Sequence, residues 1–71
     1  MVDSIRLNSK IEEKGLKIEY LARALKMSTG SLYNKRHNKT QFSYSEAICL
    51  SNILELTEQE RDDIFLYKKL T

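Results

Sequence analysis

Between Ser28 and Lys39 the chain reads STGSLYNKRHNK, and nearly every side chain there can form hydrogen bonds or carry positive charge. A short helix over this stretch would carry Ser28, Thr29, Gly30, Ser31, Tyr33 and Asn34, with Lys35, Arg36, His37, Asn38 and Lys39 at its far end. No nucleophile or carboxylate is spaced to make His37 catalytic, so no catalytic residue is assigned and no enzyme activity is expected. The chemistry that suits these groups is recognition: an amide, hydroxyls and cations on one short helix match a polyanion whose grooves present hydrogen-bonding edges. The plainer alternative is a solvated helix and loop with ordinary surface lysines.

Two short helices joined by a tight turn must position that stretch. Ile18, Leu21, Ala22 and Leu25 fall on one face at a 3.6-residue spacing, Lys26-Met27 interrupts the run, and Ser28 can cap the helix that follows. Leu25, Met27 and Leu32 have the spacing to tie the turn and the second helix into a core. Ala22 is small where the following helix must approach closely, and a bulky residue there should splay the pair apart.

A chain of 71 residues allows one domain, 1–71, too small for a large catalytic cleft. With no proline and only Gly15 and Gly30, an all-α architecture with short connections is expected. The first helix should start at Asp3 or Ser4 and end at Gly15, with Leu7 and Ile11 as core contacts and Ile5 meeting either the C-terminal helix or another subunit. Ser43 and Glu46 form a capping box, with Phe42 and Ala47 as its hydrophobic staple. The helix they open should run to about Leu54, burying Ala47, Leu50, Ser51 and Leu54, with Ile48 and Ile53 at the edges. Thr57 and Glu60 repeat the box and open a last helix reaching Leu70, acidic at its start and basic at Lys68 and Lys69 as the helix dipole prefers. Tyr20 and Tyr44 are expected at the edge of the core.

Net charge is +2, but it is unevenly distributed. Residues 1–42 hold nine Lys or Arg against four Asp or Glu, and residues 43–71 hold three against six, so a basic first part is followed by an acidic second part. Polyanion binding would use the first. Cys49 is the only cysteine, which excludes an internal disulfide, and with the single His37 it makes no metal site. No cofactor is implied, and a quiet, partly buried thiol in a reducing cytoplasm is expected. MVDSIRLNSK lacks the apolar core of a signal peptide, and no stretch approaches the roughly 20 apolar residues of a membrane span.

The stretch from Gly15 to about Phe65 resembles the phage Cro and repressor helix-turn-helix family. Gly15-Leu16, Leu21-Ala22, Leu25, Met27-Ser28, Ser31-Leu32 and the tail containing Leu50, Leu54 and Leu56 carry the resemblance. GSLYNKRHNKTQF looks most like the small phage regulators of low-GC Gram-positive hosts, and the length is closer to a Cro protein than to a full-length repressor. The resemblance implies a compact five-helix lambda-repressor-like domain. Its second and third helices form the helix-turn-helix, and it binds a double-stranded DNA operator as a homodimer with the third helix in successive major grooves. Carried over by position, base reading falls to Thr29, Gly30, Tyr33 and Asn34, with Ser28 and Ser31 next. Phosphate contact falls to Lys17, Lys35, Arg36, His37, Asn38 and Lys39. Asn34 can pair bidentately with adenine, and Thr29 can meet a base edge or a thymine methyl group.

The departures from the family pattern carry their own expectations. Ile18 stands where a phosphate-gripping glutamine is usual, Lys26 where the turn has glycine, Gly30 where a base-reading side chain projects, and Arg36 where an apolar residue is more common. Asn38 replaces a glycine that asparagine can mimic. Ile64, Phe65, Leu66, Tyr67 and Leu70 exceed what one amphipathic face uses. Phe65 is assigned first to the core, while Leu66, Tyr67 and Leu70, with Phe65, are the candidate protein interface. The alternative function is a modulator of repression, or antirepressor, that binds a phage repressor with or without DNA.

Overall fold

Five helices occupy the residues described by the computed structural model, 1–66: α1 (Ser4–Glu13), α2 (Ile18–Ala24), α3 (Thr29–Arg36), α4 (Tyr44–Ile53) and α5 (Glu58–Phe65). No strand occurs among the described residues, and none of the described helices is long and apolar enough to cross a membrane. Local chemistry accounts for most of the boundaries. The side chains of Asp3, Ser28, Ser43 and Thr57 each accept a hydrogen bond from the backbone N–H three residues on, which satisfies a donor that the first turn leaves open. Ser43–Glu46 and Thr57–Glu60 are both complete capping boxes. α2 starts on Lys17 without a side-chain cap, because an ammonium side chain offers no acceptor to the first-turn N–H groups.

The helix ends share one device. Gly15, Lys26, Asn38 and Glu55 all have positive φ, between 55° and 67°. The N–H of the next residue then returns to a carbonyl in the last turn: Leu16 to Ile11, Met27 to Ala22, Lys39 to Asn34 and Leu56 to Ser51. In three of these turns that next residue is apolar, and Leu16, Met27 and Leu56 pack against the core. Only the first turn uses glycine, so Lys26, with a φ of 58°, carries the backbone cost of about 1 kcal/mol that a side chain brings to the left-handed region. Asparagine suits that region better, and Asn38 lies at 62°.

Leu7 and Ile11 of α1, Leu21 and Ala22 of α2, Leu32 of α3, Ala47 and Leu50 of α4 and Ile64 and Phe65 of α5 meet in one core with Val2, Leu25 and Leu54. Leu7, Leu21, Leu32, Leu50 and Leu54 are fully buried, each worth about 2 kcal/mol relative to exposure. Buried Ser51 is satisfied by donating from its hydroxyl to the Ala47 carbonyl at 2.7 Å. α3 packs against α2 and α1, and α1 also packs against α5. The small Ala22 is buried, as a close approach between α2 and α3 requires.

One expectation needs correction. Tyr20 and Tyr44 are 50% and 69% exposed, not core-edge residues, because the leucines already fill the interior. Ile5 is 81% exposed, so α5 does not cover it and, of its two expected partners, another subunit is the one left open. α5 ends at Phe65, with Leu66 closing it in the left-handed conformation, and the expected continuation to Leu70 falls outside the described residues. Phe65 is only 6% exposed and meets Phe42 edge-on at 5.6 Å between ring centroids, so it belongs to the core, the first of its expected places, and its apolar surface is used inside the fold. Leu66 is half-exposed. Tyr67, Lys68, Lys69 and Leu70 lie outside the described residues.

Candidate nucleic-acid interface

Leu32 anchors α3, and with it buried the opposite side of the helix faces solvent. Gly30, Tyr33 and His37, three and four residues apart, run along that side, with Thr29 exposed beside them and Ser31 and Asn34 half-buried at its margins. Ser28 is exposed at the cap, where its hydroxyl accepts from Ser31 N–H at 3.0 Å. An added Cβ at Gly30 would meet only the Ser28 hydroxyl, at 4.0 Å, so nothing within the fold requires a glycine there.

At the far end of α3 the tyrosine ring of Tyr33 lies 4.3 Å from the His37 imidazole, centroid to centroid, at an interplanar angle of 37°. Lys39 Nζ lies 5.4 Å from the centroid of the same ring, and the Arg36 guanidinium carbon 6.0 Å. Both cations are within the range of a cation–π contact.

Not all the cations expected here are available to a ligand. Lys35 Nζ donates to Glu46 Oε1 at 2.6 Å, and the same oxygen accepts the Ser43 N–H at 2.8 Å. Lys35 therefore docks the end of α3 onto the capping box of α4, and its ammonium holds the Glu46 carboxyl below its ordinary pKa. Arg36 donates from Nη1 to Asn8 Oδ1 of α1 at 2.7 Å, while its buried Nε has no partner. Asn38 and Val2 exchange two hydrogen bonds: Val2 N–H to Asn38 Oδ1 at 2.8 Å and Asn38 Nδ2 to the Val2 carbonyl at 2.9 Å. Ser4 adds a bond from its hydroxyl to the Arg36 carbonyl at 2.6 Å. Lys35, Arg36 and Asn38, expected as phosphate contacts, instead fasten α3 to its neighbours because their acceptors and donors lie on elements that pack beside it.

The basic first part of the chain is likewise partly neutralised by the acidic second part. Arg6 pairs with Asp63 at 3.6 Å, Lys10 with Glu60 at 2.7 Å and Lys14 with Glu55 at 3.1 Å. These three cations are four residues apart on α1 and just beyond it, and their partners lie in α5 or before it. Lys17, Arg23, Lys26 and Lys39 are exposed and form no ion pair among the described residues. The cationic surface thus narrows to both ends of α2 and the far end of α3. The spacing of Arg6, Lys10 and Lys14 marks them in the sequence as one stripe; their acidic partners are more than 40 residues away and carry no local signal.

No family model, curated protein or solved structure matches the chain.

Proposed function

We propose that the chain is a sequence-specific DNA-binding transcriptional regulator of Cro type, working in a phage lysis/lysogeny switch. α2 and α3 act as the helix-turn-helix of a lambda-repressor-like domain, and a homodimer places α3 in successive major grooves. The observation that carries this reading is the division of labour on α3. Leu32 is completely buried, while Ser28, Thr29, Gly30 and Tyr33 form an exposed side with Lys39 next to Tyr33, and Lys39 and the exposed Lys17 form no ion pair among the described residues. Hydrogen-bonding groups along the helix read base edges, and cations at the margins hold phosphates. On this reading the protein is not an enzyme and works in the cytoplasm of the host cell. The test is a gel-shift titration on operator and scrambled duplexes over a range of salt concentrations. Affinity should fall steeply with salt, and Asn34→Ala should narrow the gap between operator and scrambled DNA; binding indifferent to both salt and sequence would end this reading.

A second reading is supported by Ile5 and Leu66, apolar side chains left in solvent. On that reading the same scaffold is a modulator of repression and docks on a repressor protein. Gel filtration with a partner repressor, with and without operator, separates the two functions. No hetero-complex at micromolar concentration would exclude the modulator.

A further inference from the structure

Tyr33 sits among the residues assigned above to base reading, yet its ring lies among cationic or protonatable side chains of its own chain. The His37 ring lies against it, tilted by 37° with 4.3 Å between centroids, Lys39 Nζ lies 5.4 Å from its centroid and the Arg36 guanidinium carbon 6.0 Å. Arg36 is itself held by Asn8 at 2.7 Å, so one side of this group is fixed to α1. Lys39 forms no ion pair among the described residues, and its backbone N–H is bonded to the Asn34 carbonyl at 2.8 Å in the turn that closes α3. A flexible, solvated lysine loses side-chain freedom when it grips a phosphate, and holding it beforehand on an aromatic face lowers that loss.

We propose that Tyr33 is a positioning residue. Its ring is the platform on which His37 and Lys39, next to an Arg36 that Asn8 holds, are assembled into one phosphate-gripping group at the end of α3, and its contribution to binding runs through those two side chains rather than through a base edge. The proposal rests on the DNA-binding reading and refines one of its residues. The ring matters and the hydroxyl does not, so phenylalanine substitutes for tyrosine and leucine does not. Because phosphates are alike at every step, the contribution is independent of DNA sequence.

The experiment compares wild type, Tyr33→Phe, Tyr33→Leu, Lys39→Gln and the Tyr33→Leu/Lys39→Gln double variant. Duplexes of operator and mixed sequence are titrated at several salt concentrations, and the side-chain proton resonances of Lys39 are recorded by NMR in the free protein. Tyr33→Phe should bind within about twofold of wild type and keep the ring-current shift of the Lys39 methylenes. Tyr33→Leu should lose about fivefold on both duplexes, lose that shift and show a shallower salt dependence. In the double variant the losses should be less than multiplicative. Equal losses in Tyr33→Phe and Tyr33→Leu, a loss confined to operator DNA, or unshifted Lys39 resonances in the wild type would each overturn the proposal while leaving DNA binding intact. A wild-type protein that binds neither duplex at low salt would overturn the DNA-binding reading, and this proposal with it.

Discussion

Lys10 reaches from α1 to place its ammonium 2.7 Å from Glu60 Oε2, while Glu60 Oε1 accepts the Thr57 N–H at 2.9 Å. One carboxylate therefore caps α5 and ties it to α1. Glu46 does the same for α4 and α3, accepting from Ser43 and from Lys35. In both places a capping box doubles as a joint between helices, and the joint is a lysine from the basic part of the chain.

The first consequence is acid sensitivity. The Lys10 hydrogen bond, followed by that from the Thr57 backbone, lowers the Glu60 carboxyl from 4.5 to about 2, and Lys35 lowers Glu46 in the same direction. A depressed folded-state pKa contributes stability above the unfolded value, and that contribution is lost as pH falls from 4.5 toward 2. The urea midpoint should drop across that window in wild type and drop less in Glu60→Gln. On the basic side Lys10 is raised above 10.5, so its share is present below that pH and disappears as pH rises past it. An acid limb of equal steepness in the variant would show that other carboxylates control it.

The Val2–Asn38 pair gives a second prediction, on backbone geometry. Asn38→Ala removes both side-chain bonds to Val2 and a longer one, at 3.3 Å, to the Ser4 hydroxyl, and leaves a Cβ residue at a φ of 62°, whereas Asn38→Gly removes the same bonds and relieves the backbone. With about 1 kcal/mol for each of the two shorter bonds, those to Val2, and about 1 kcal/mol for the left-handed conformation, alanine should cost about 3 kcal/mol and glycine about 2. Chemical denaturation of the two variants measures the difference. Equal costs would mean that the turn places no demand on φ.

Elements governed by neighbours in sequence are legible from the residues alone, and those governed by distant partners are not. Ser43–Glu46 and Thr57–Glu60 announce two helix starts because box donors and acceptors are three residues apart. Leu7, Ile11, Leu21, Leu25, Leu32, Ala47, Leu50 and Leu54 follow from helical spacing, and all are buried. Asn38 reads as a glycine substitute from its type alone, but its bonds to Val2 span 36 residues and have no local mark. Lys35 and Arg36 look like surface cations for the same reason: Glu46 and Asn8 come beside them only after α4 and α1 have packed. Tyr20 and Tyr44 fail differently, since an aromatic at a helical position says nothing about whether leucines have already filled the core.

Gly30 separates stability from recognition. It occupies the first turn of α3 with room for a methyl group, so Gly30→Ala should raise stability by about 0.5–1 kcal/mol through helix propensity. If the bare backbone serves close approach to DNA, the same variant should bind operator more weakly although it melts higher. Thermal denaturation and a gel shift on one preparation test both halves, and a variant both more stable and tighter binding would remove any recognition role from this glycine.

Lys35 and Lys17 should respond in opposite ways to loss of charge. Lys35 is mostly buried against Glu46, so Lys35→Gln should lower stability by about 1 kcal/mol through loss of a charged hydrogen bond, with little effect on how DNA binding depends on salt. Lys17 is exposed and forms no ion pair among the described residues, so Lys17→Gln should leave the urea midpoint nearly unchanged. Its effect belongs in the slope of log affinity against log salt, which should become shallower by about 1 if this lysine neutralises a single phosphate. Measuring both quantities for both variants is a crossed test, because a general loss of positive charge would lower the slope in each, whereas the division between a paired Lys35 and an unpaired Lys17 lowers it only for Lys17.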